Sequence, residues 1–343
     1  MTARWSIVST MHGVPETVLP CIAHHLQTDA EFIHIYLDAP NPILQDALAR
    51  QPRCIVTVCD DAYWSRRPNG RPNGLGRRQR ANIRHAMRRS SSDWLVHIDS
   101  DEFLVPPPGQ SALQLGAELA SLPAHHDWGR IAPLERILPP HLQQQTIFDG
   151  VFRRSTTDKD TVRAAYGDDA RFLTEGLSGH TRGKIAFRRN TTLTPRIHEL
   201  NWPKPRNGRT VPVPEPEGLP PHTRLQSTQL LHFEGWTARH WGRKLLRFVE
   251  DDRITHHNKG RRTAIEFMSA QADPAERDSL FDRVQRLSEE GFALLNRKGL
   301  LRLEPFNPTD ITRHVFPEID FDFSVAAFDA RMVVSTAHRT HSA

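Results

Sequence analysis

Residues 94–104 read WLVHIDSDEFL, an apolar run that leads into two acids one residue apart. The apolar run predicts a buried strand, and Asp99 and Asp101 follow it. Ligands of α/β sheets bind outside the carboxyl ends of the strands. Alternate residues of an extended segment point to the same side, so both acids can reach one cation while Ser100 turns away. We expect a divalent cation here, since such ions take one or two carboxylates and complete their shell with phosphate oxygens. A solvated acidic turn is the plainer alternative.

The residues before this stretch alternate apolar β-type runs with helical patterns. The patterns predict strands at 5–11, 32–38, 54–59 and 94–99, and helices at about 15–27, 42–50 and 77–89. This alternation is typical of an α/β fold with a mostly parallel sheet flanked by helices.

The later part of the chain has a different pattern. A proline-rich segment at 203–221 predicts a loop, and helical periodicity at 237–254 and 274–296 predicts a C-terminal helical extension. Residues beyond about 303 show no clear periodicity.

Composition narrows the class of protein. The chain has 343 residues, 38% of them hydrophobic, and no run approaches the roughly 20 apolar residues that span a bilayer. No secretory leader precedes the first strand, so we expect a cytoplasmic protein. The three cysteines lack the paired spacing of a zinc site or a disulfide framework.

Positive charge is concentrated in one segment. The net charge is only +5, yet the segment between Arg66 and Arg89 contains nine arginines and no acid. This concentration predicts an anionic ligand or surface.

Several motifs of the chain resemble those of the GT-A glycosyltransferases, in particular the family-2-like group of bacterial enzymes that act on surface polysaccharides. The resemblance covers roughly residues 5 to 245 and rests on these stretches: TMHG (10–13) with His24-His25, IHIYLD (33–38) with Asn41, QRAN (79–82), DSDEF (99–103), GKI (183–185) with His198, and HF (232–233) with Thr237 and Lys244. The chain departs from the pattern where His12-Gly13 replaces a more usual Asn-Glu.

The resemblance implies a GT-A, Rossmann-like domain at 1–235, a helical extension at 236–300 and a C-terminal tail at 301–343. It implies a metal-dependent transferase that moves a sugar from a nucleotide-diphosphate donor to a saccharide or polysaccharide acceptor, with inversion. Mn²⁺ or Mg²⁺ is the implied cofactor. We expect neither a nucleic-acid partner nor a transmembrane segment, and peripheral association with a membrane is compatible with the sequence.

Candidate donor-site residues follow from the resemblance and from position. Asp38 ends the second predicted strand and would hydrogen-bond the nucleoside. Arg80 would pair with Asp99 or with a phosphate, because a guanidinium group matches both in bidentate fashion. Lys184 is a candidate phosphate contact. Asp99 is expected to bind the donor as well as the metal.

The remaining candidates are two histidines and two glutamates. The resemblance suggests that His198 or His232 completes the metal shell or contacts the diphosphate, and neutral imidazole suits Mn²⁺. Inverting transfer needs a carboxylate base. Glu199 has a spacing from the acidic pair like that of the base in related enzymes, and Glu135 follows another apolar run.

Two other functions remain compatible with the sequence. A phosphohydrolase can use an Asp-x-Asp pair, with Asp99 as nucleophile and Asp101 as acid and base. A nucleic-acid-binding protein, which is not an enzyme, can use the arginine-rich segment 66–89.

Overall fold

The structure is a computed structural model that describes residues 2–203, 220–250, 257–271 and 273–337. Its strands are β1 (Trp5–Met11), β2 (Ile33–Leu37), β3 (Cys54–Val58), β4 (Trp94–His97), β5 (Glu102–Val105), β6 (Trp128–Ile131), β7 (Pro133–Ile137), β8 (Val151–Arg154), β9 (Lys184–Arg188), β10 (Thr194–Pro195), β11 (Leu200–Asn201), β12 (His222–Arg224), β13 (Gln229–His232) and β14 (Leu301–Arg302).

The helices of the described residues are α1 (Pro15–His25), α2 (Pro42–Ala49), α3 (Asp61–Ser65), α4 (Leu75–Arg89), α5 (Leu115–Ser121), α6 (Lys159–Tyr166), α7 (Ala238–Glu250), α8 (Lys259–Ala270), α9 (Pro274–Gln285), α10 (Glu289–Arg297), α11 (Thr309–Val315) and α12 (Val325–Ala337). None of these helices has the length and apolar character needed to cross a membrane.

The chain forms two compact units, of which the first comprises Met1–Ala132 and Arg182–Leu230. It contains a seven-stranded sheet in the order β12-β6-β9-β4-β1-β2-β3. Neighbouring strands are parallel except around β9, which is antiparallel to both β4 and β6. The predicted α/β fold with a mostly parallel sheet flanked by helices is therefore confirmed.

The core of the first unit explains the local structure. Every residue of β1 and β4 is buried, as expected for parallel strands that are covered on both faces. Helix α4 packs Ile83 and Ala86 into a cluster that also contains Val8 and Leu95. The apolar positions of α4 thus fix which of its faces points to the sheet.

The second unit comprises Pro133–Thr181 and Leu231–Ala343. Its sheet contains β14, β8, β7 and β13 in that order, with β8 antiparallel to β7 and β14. Its buried cluster unites side chains of α6, α7, α8, α9 and α10, including Trp241, Ile265 and Leu280. The predicted domain boundaries after residues 235 and 300 stay a prediction.

Several predicted elements need correction. The helical pattern at 274–296 forms two helices, because the chain is extended at Arg286 and Ser288 caps a new helix with a hydrogen bond from Gly291 N at 3.1 Å. Helix α8 was not predicted. The segment beyond 303 contains α11 and α12 despite its weak periodicity. Residues 204–219 of the proline-rich segment and 251–254 of the first helical pattern lie outside the described residues.

Candidate active site

The first unit has a topological switch point between β1 and β4. The chain proceeds from β1 outward through β2 and β3, and then returns to place β4 on the other side of β1. In open α/β sheets, the crevice at the carboxyl ends beside such a point is where ligands bind. The residues that follow β1, β2 and β4 at this edge include His12, Asp38 and Asp99.

The acidic pair after β4 lies in a tight, well-supported turn. The backbone N–H of Asp99 donates to Glu102 Oε2 at 2.8 Å, which closes the turn from Asp99 to Glu102. Strand β5 follows directly, and two histidines of α1 hold it: Leu104 N donates to His25 Nε2 at 3.1 Å, and His24 Nε2 donates to Leu104 O at 2.8 Å. The His24-His25 pair therefore positions the acidic turn.

A buried lysine contacts the first acid of the pair. Lys184 begins β9, the antiparallel neighbour of β4, and its side chain is fully buried. Its ammonium group forms an ion pair with Asp99 and lies 3.3 Å from Glu102 Oε2. The predicted phosphate contact of Lys184 stays a prediction, while its observed partners are carboxylates.

Lys184 influences the protonation states of the neighbouring Asp99 and His97. Burial alone would raise the pKa of Asp99, but the charge and hydrogen bond of Lys184, together with His97 and His198, hold that pKa well below its usual range. Likewise, burial would lower the pKa of Lys184, yet Asp99 and Glu102 keep it raised. Burial and then the Lys184 charge lower the pKa of His97 to about 3. Asp99 is thus an anion and His97 is neutral near pH 7.

Helix α4 connects the three strand ends through residues of its inner face. Arg78 makes a bidentate contact with Asp38, with Nε to Oδ1 at 2.7 Å and Nη2 to Oδ2 at 2.8 Å. Gln79 Nε2 donates to Asp99 Oδ1 at 2.5 Å. Asn82 Nδ2 donates to Thr10 Oγ1, at the end of β1, at 3.0 Å. One helix therefore holds the β1, β2 and β4 termini in register.

Arg80 lies away from these contacts. Sequence reasoning offered it as a partner of Asp99, whereas Asp99 contacts Gln79 and Lys184, and Arg78 takes the acid at the end of β2. The role of Arg80 at a phosphate stays a prediction. Helical spacing was the signal that could have selected Arg78, since positions 78, 79, 82, 83 and 86 share the side of α4 that carries Ile83 and Ala86.

His198 and Glu199 lie in the turn between β10 and β11. His198 Nδ1 is 2.7 Å from Gly183 O, next to Lys184, and its charge also acts to lower the pKa of Asp99. Glu199 Oε2 accepts from Arg182 at 3.0 Å, and 19% of its side chain is exposed. The structure thus brings His198 near Asp99, and it leaves Glu199 accessible.

Glu135 lies on β7 in the second unit and is completely buried. It pairs with Arg153, and it accepts from Ser178 N at 2.9 Å and from Gly179 N at 2.6 Å. Burial would raise the pKa of Glu135, but Arg153, His232 and the backbone N–H of Ser178 lower it to about 2. Such a carboxylate binds a proton weakly, so the environment favours a structural part for it.

His232 ends β13 in the same unit. Its ring lies 5.1 Å from that of His180, and its Nε2 is 3.5 Å from Glu234 Oε2. Ligand nitrogens of His180 and His232 lie within 4.8 Å of each other, a spacing that permits both to bind one metal ion. Sequence reasoning singled out His232 and missed His180 and Glu234.

The carboxylate oxygens of the acidic turn are suitable ligands for a hard divalent cation. Asp99 and Asp101 are half-buried and offer carboxylate oxygens, the ligands that Mg²⁺ and Mn²⁺ prefer. Gln79 and Lys184 each contact one oxygen of Asp99, and an ionised carboxylate has about four lone-pair sites, so capacity for a metal remains.

Comparison with known proteins assigns this chain to no family. No protein-family model matches the chain, and no curated protein matches it. Solved structures that resemble it include HddC from Yersinia pseudotuberculosis, at 9% identity, TM-score 0.29, and coverage of 55% of this chain and 77% of that chain. A putative glucose-1-phosphate thymidylyltransferase from Bacillus anthracis has 9% identity, TM-score 0.27, and coverage of 93% and 97%. Likenesses this weak carry nothing about the activity.

Proposed function

We propose that this protein is a metal-dependent glycosyltransferase that moves a sugar from a nucleotide-diphosphate donor to a saccharide acceptor. The supporting observation is that Asp38, Asp99 and Asp101 all lie at the carboxyl edge of a mostly parallel sheet, beside its switch point. In this proposal Asp38 orients the nucleoside, and α4 keeps Asp38 and Asp99 in a fixed relation through Arg78 and Gln79.

Asp99 and Asp101 would hold the Mn²⁺ or Mg²⁺ ion, with His198 of the same unit as a further ligand. When bound, the ion supplies Lewis-acid neutralisation of charge on the leaving diphosphate, an effect of several kcal/mol at the transition state. The buried Lys184 helps to keep Asp99 ionised, the form in which a carboxylate binds a metal ion.

Glu199 is the better supported of the two candidate bases. Its side chain is partly exposed and lies on the turn that also carries His198, next to the start of β9. Glu135 has four hydrogen-bonding or ionic contacts and a pKa of about 2, which would make it an inefficient acceptor of a hydroxyl proton. Inversion at the anomeric carbon is part of the proposal and needs one such base.

The test begins with a screen of UDP-, GDP-, CMP- and dTDP-sugars with Mn²⁺ or Mg²⁺, measured by thermal shift and by nucleotide release. A ligand present at about one hundred times its dissociation constant stabilises the native state by roughly 2.7 kcal/mol. We expect one nucleotide class to give a metal-dependent shift that Asp101→Asn removes. Asp93→Asn is the matched control, because Asp93 precedes the same strand at its opposite end and is exposed.

Two outcomes would contradict the proposal. Full nucleotide release by Asp101→Asn would exclude the acidic turn as the metal site. Covalent phosphate on Asp99 after incubation with a phosphomonoester, without any response to nucleotide sugars, would assign the protein to the phosphohydrolases.

A further inference from the structure

The outer side of α4 carries a stripe of four arginines. Arg77, Arg80, Arg84 and Arg88 are spaced by three, four and four residues, which places them on one face of a helix. Arg77, Arg84 and Arg88 are exposed, and Arg80 is half-buried. This face lies opposite the side through which α4 contacts Asp38 and Asp99. We call the four residues the arginine stripe.

A cavity of about 280 Å³ adjoins the stripe. Its charged walls are Arg84 and Arg88 from α4 and Arg189, which follows β9, and Met87 and Leu193 supply an apolar surface. The volume is close to that of the smaller ligand pockets in proteins. It can therefore receive one compact group, such as a single charged sugar.

Among the described residues, no carboxylate balances the charge of the stripe. In the described part of the chain, none of its four guanidinium groups forms an ion pair, whereas Arg71 and Arg78 of the same basic segment pair with Asp38. Burial, Arg196 and the neighbouring arginines lower the pKa values of Arg80 and Arg84, so these cations lie close enough to disfavour one another. An anion placed among them would relieve this repulsion.

We propose that the arginine stripe and its cavity bind an acidic saccharide, so that the acceptor of the proposed transfer carries carboxylate or phosphate groups. That this ligand is the acceptor rests on the proposed function, whereas its negative charge is inferred from the arginine stripe. Guanidinium groups match carboxylate and phosphate oxygens in bidentate fashion. The stripe begins at Arg77, next to Arg78, and its cavity lies toward the other end of α4, so a saccharide chain that spans the whole stripe reaches the helix end that contacts Asp38 and Asp99.

Two other anionic partners, single-stranded nucleic acid and a membrane surface, fit the stripe less well. Single-stranded nucleic acid is held by stacking on aromatic side chains, and the cavity lining contains none. Interfacial membrane helices insert a broad apolar face, while the exposed residues of α4 from position 77 to 89 are all arginine. An acidic saccharide, with flexible charged groups and small apolar patches, matches a concave arginine-lined cavity.

The test measures binding in the absence of any nucleotide sugar. Probes are tetragalacturonic acid for carboxylate, pentamannose 6-phosphate for phosphate and maltotetraose as the neutral control. We expect at least one acidic probe to bind, maltotetraose not to bind, and the affinity to fall as salt is raised. The double variant Arg84→Gln/Arg88→Gln should raise the dissociation constant at least tenfold.

Arg89→Gln provides the matched control, because Arg89 is exposed on the same helix but lies off the stripe; its dissociation constant should stay within twofold. Equal binding of the acidic probes by the native protein and the double variant, or no binding of either probe, would overturn the proposal. Tighter binding of single-stranded DNA or of phosphatidylserine vesicles, lost in the double variant, would reassign the stripe to that partner. Because this assay contains no donor, it can succeed or fail separately from the nucleotide-release assay.

Discussion

Lys184 shows how one buried side chain can determine the charge of a candidate site. Replacing it by methionine leaves Asp99 and the buried Glu102 facing each other without their cation. We expect Lys184→Met to lower the free energy of unfolding by about 3 to 5 kcal/mol, as for one partner removed from a buried pair. Urea unfolding measures this change.

The loss in Lys184→Met should shrink as the pH is lowered, because the two carboxylates can then take up protons. Lys159→Met, at an exposed helix start, should change stability by less than about 0.5 kcal/mol. A Lys184→Met variant as stable as the native protein at pH 7 would contradict the ion pairs described for Lys184.

Glu135 gives a second residue-scale prediction, on pH. Its folded pKa of about 2 lies below the ordinary value of 4.5, so the stability it contributes is complete above pH 4.5 and is lost as the pH falls toward 2. Relative to Glu135→Gln, the native protein should lose about 2 kcal/mol of unfolding free energy between pH 6 and pH 3. Unfolding curves of both proteins across that range test it.

Glu290→Gln, at an exposed position of α10, is the control and should follow the native pH dependence. If native protein and Glu135→Gln lost stability in parallel as the pH fell, the folded pKa of Glu135 would be near its ordinary value. In that case Glu135 would again be a candidate for the catalytic base.

At the scale of elements, the sequence predicted the features that are encoded by neighbouring residues, and it missed those that depend on residues far apart in the chain. The strands of the first hundred residues and the acidic turn after β4 were predicted because alternating propensity and apolar runs are local signals. The Glu135–Arg153 pair was not predictable, because it joins two strands 18 residues apart whose register only the fold defines. Arg80 was the residue named from the sequence, whereas the structure places Arg78 at Asp38, and the helical spacing of Ile83 and Ala86 was the signal for the inward face of α4.

The break between α9 and α10 leads to a prediction for Gly291. A Cβ atom on Gly291 would lie 2.5 Å from the carbonyl oxygen of Ala165, which is backbone of α6 and cannot easily move. We expect Gly291→Ala to destabilise the protein by at least about 1 kcal/mol, although alanine is the better helix former. Gly242→Ala in α7 meets only the flexible end of Met268 at 3.1 Å and should be neutral or stabilising. Thermal unfolding of both variants measures these changes in stability. Equal changes in the two variants would contradict the close approach of Gly291 to Ala165.

At the scale of the whole molecule, the residues proposed to bind the donor nucleotide are concentrated in the first unit. Asp38, Asp99 and Asp101 follow different strands, yet α4 couples two of these strand ends through Arg78 and Gln79. Donor and metal should therefore slow amide hydrogen exchange in α4 and in the turn after β4 together, since local opening of one releases contacts of the other. Peptides of α10 serve as the internal reference. Slower exchange in the turn alone, with α4 unchanged, would mean that α4 does not couple the strand ends, and Gln79→Ala would then have no effect on donor affinity.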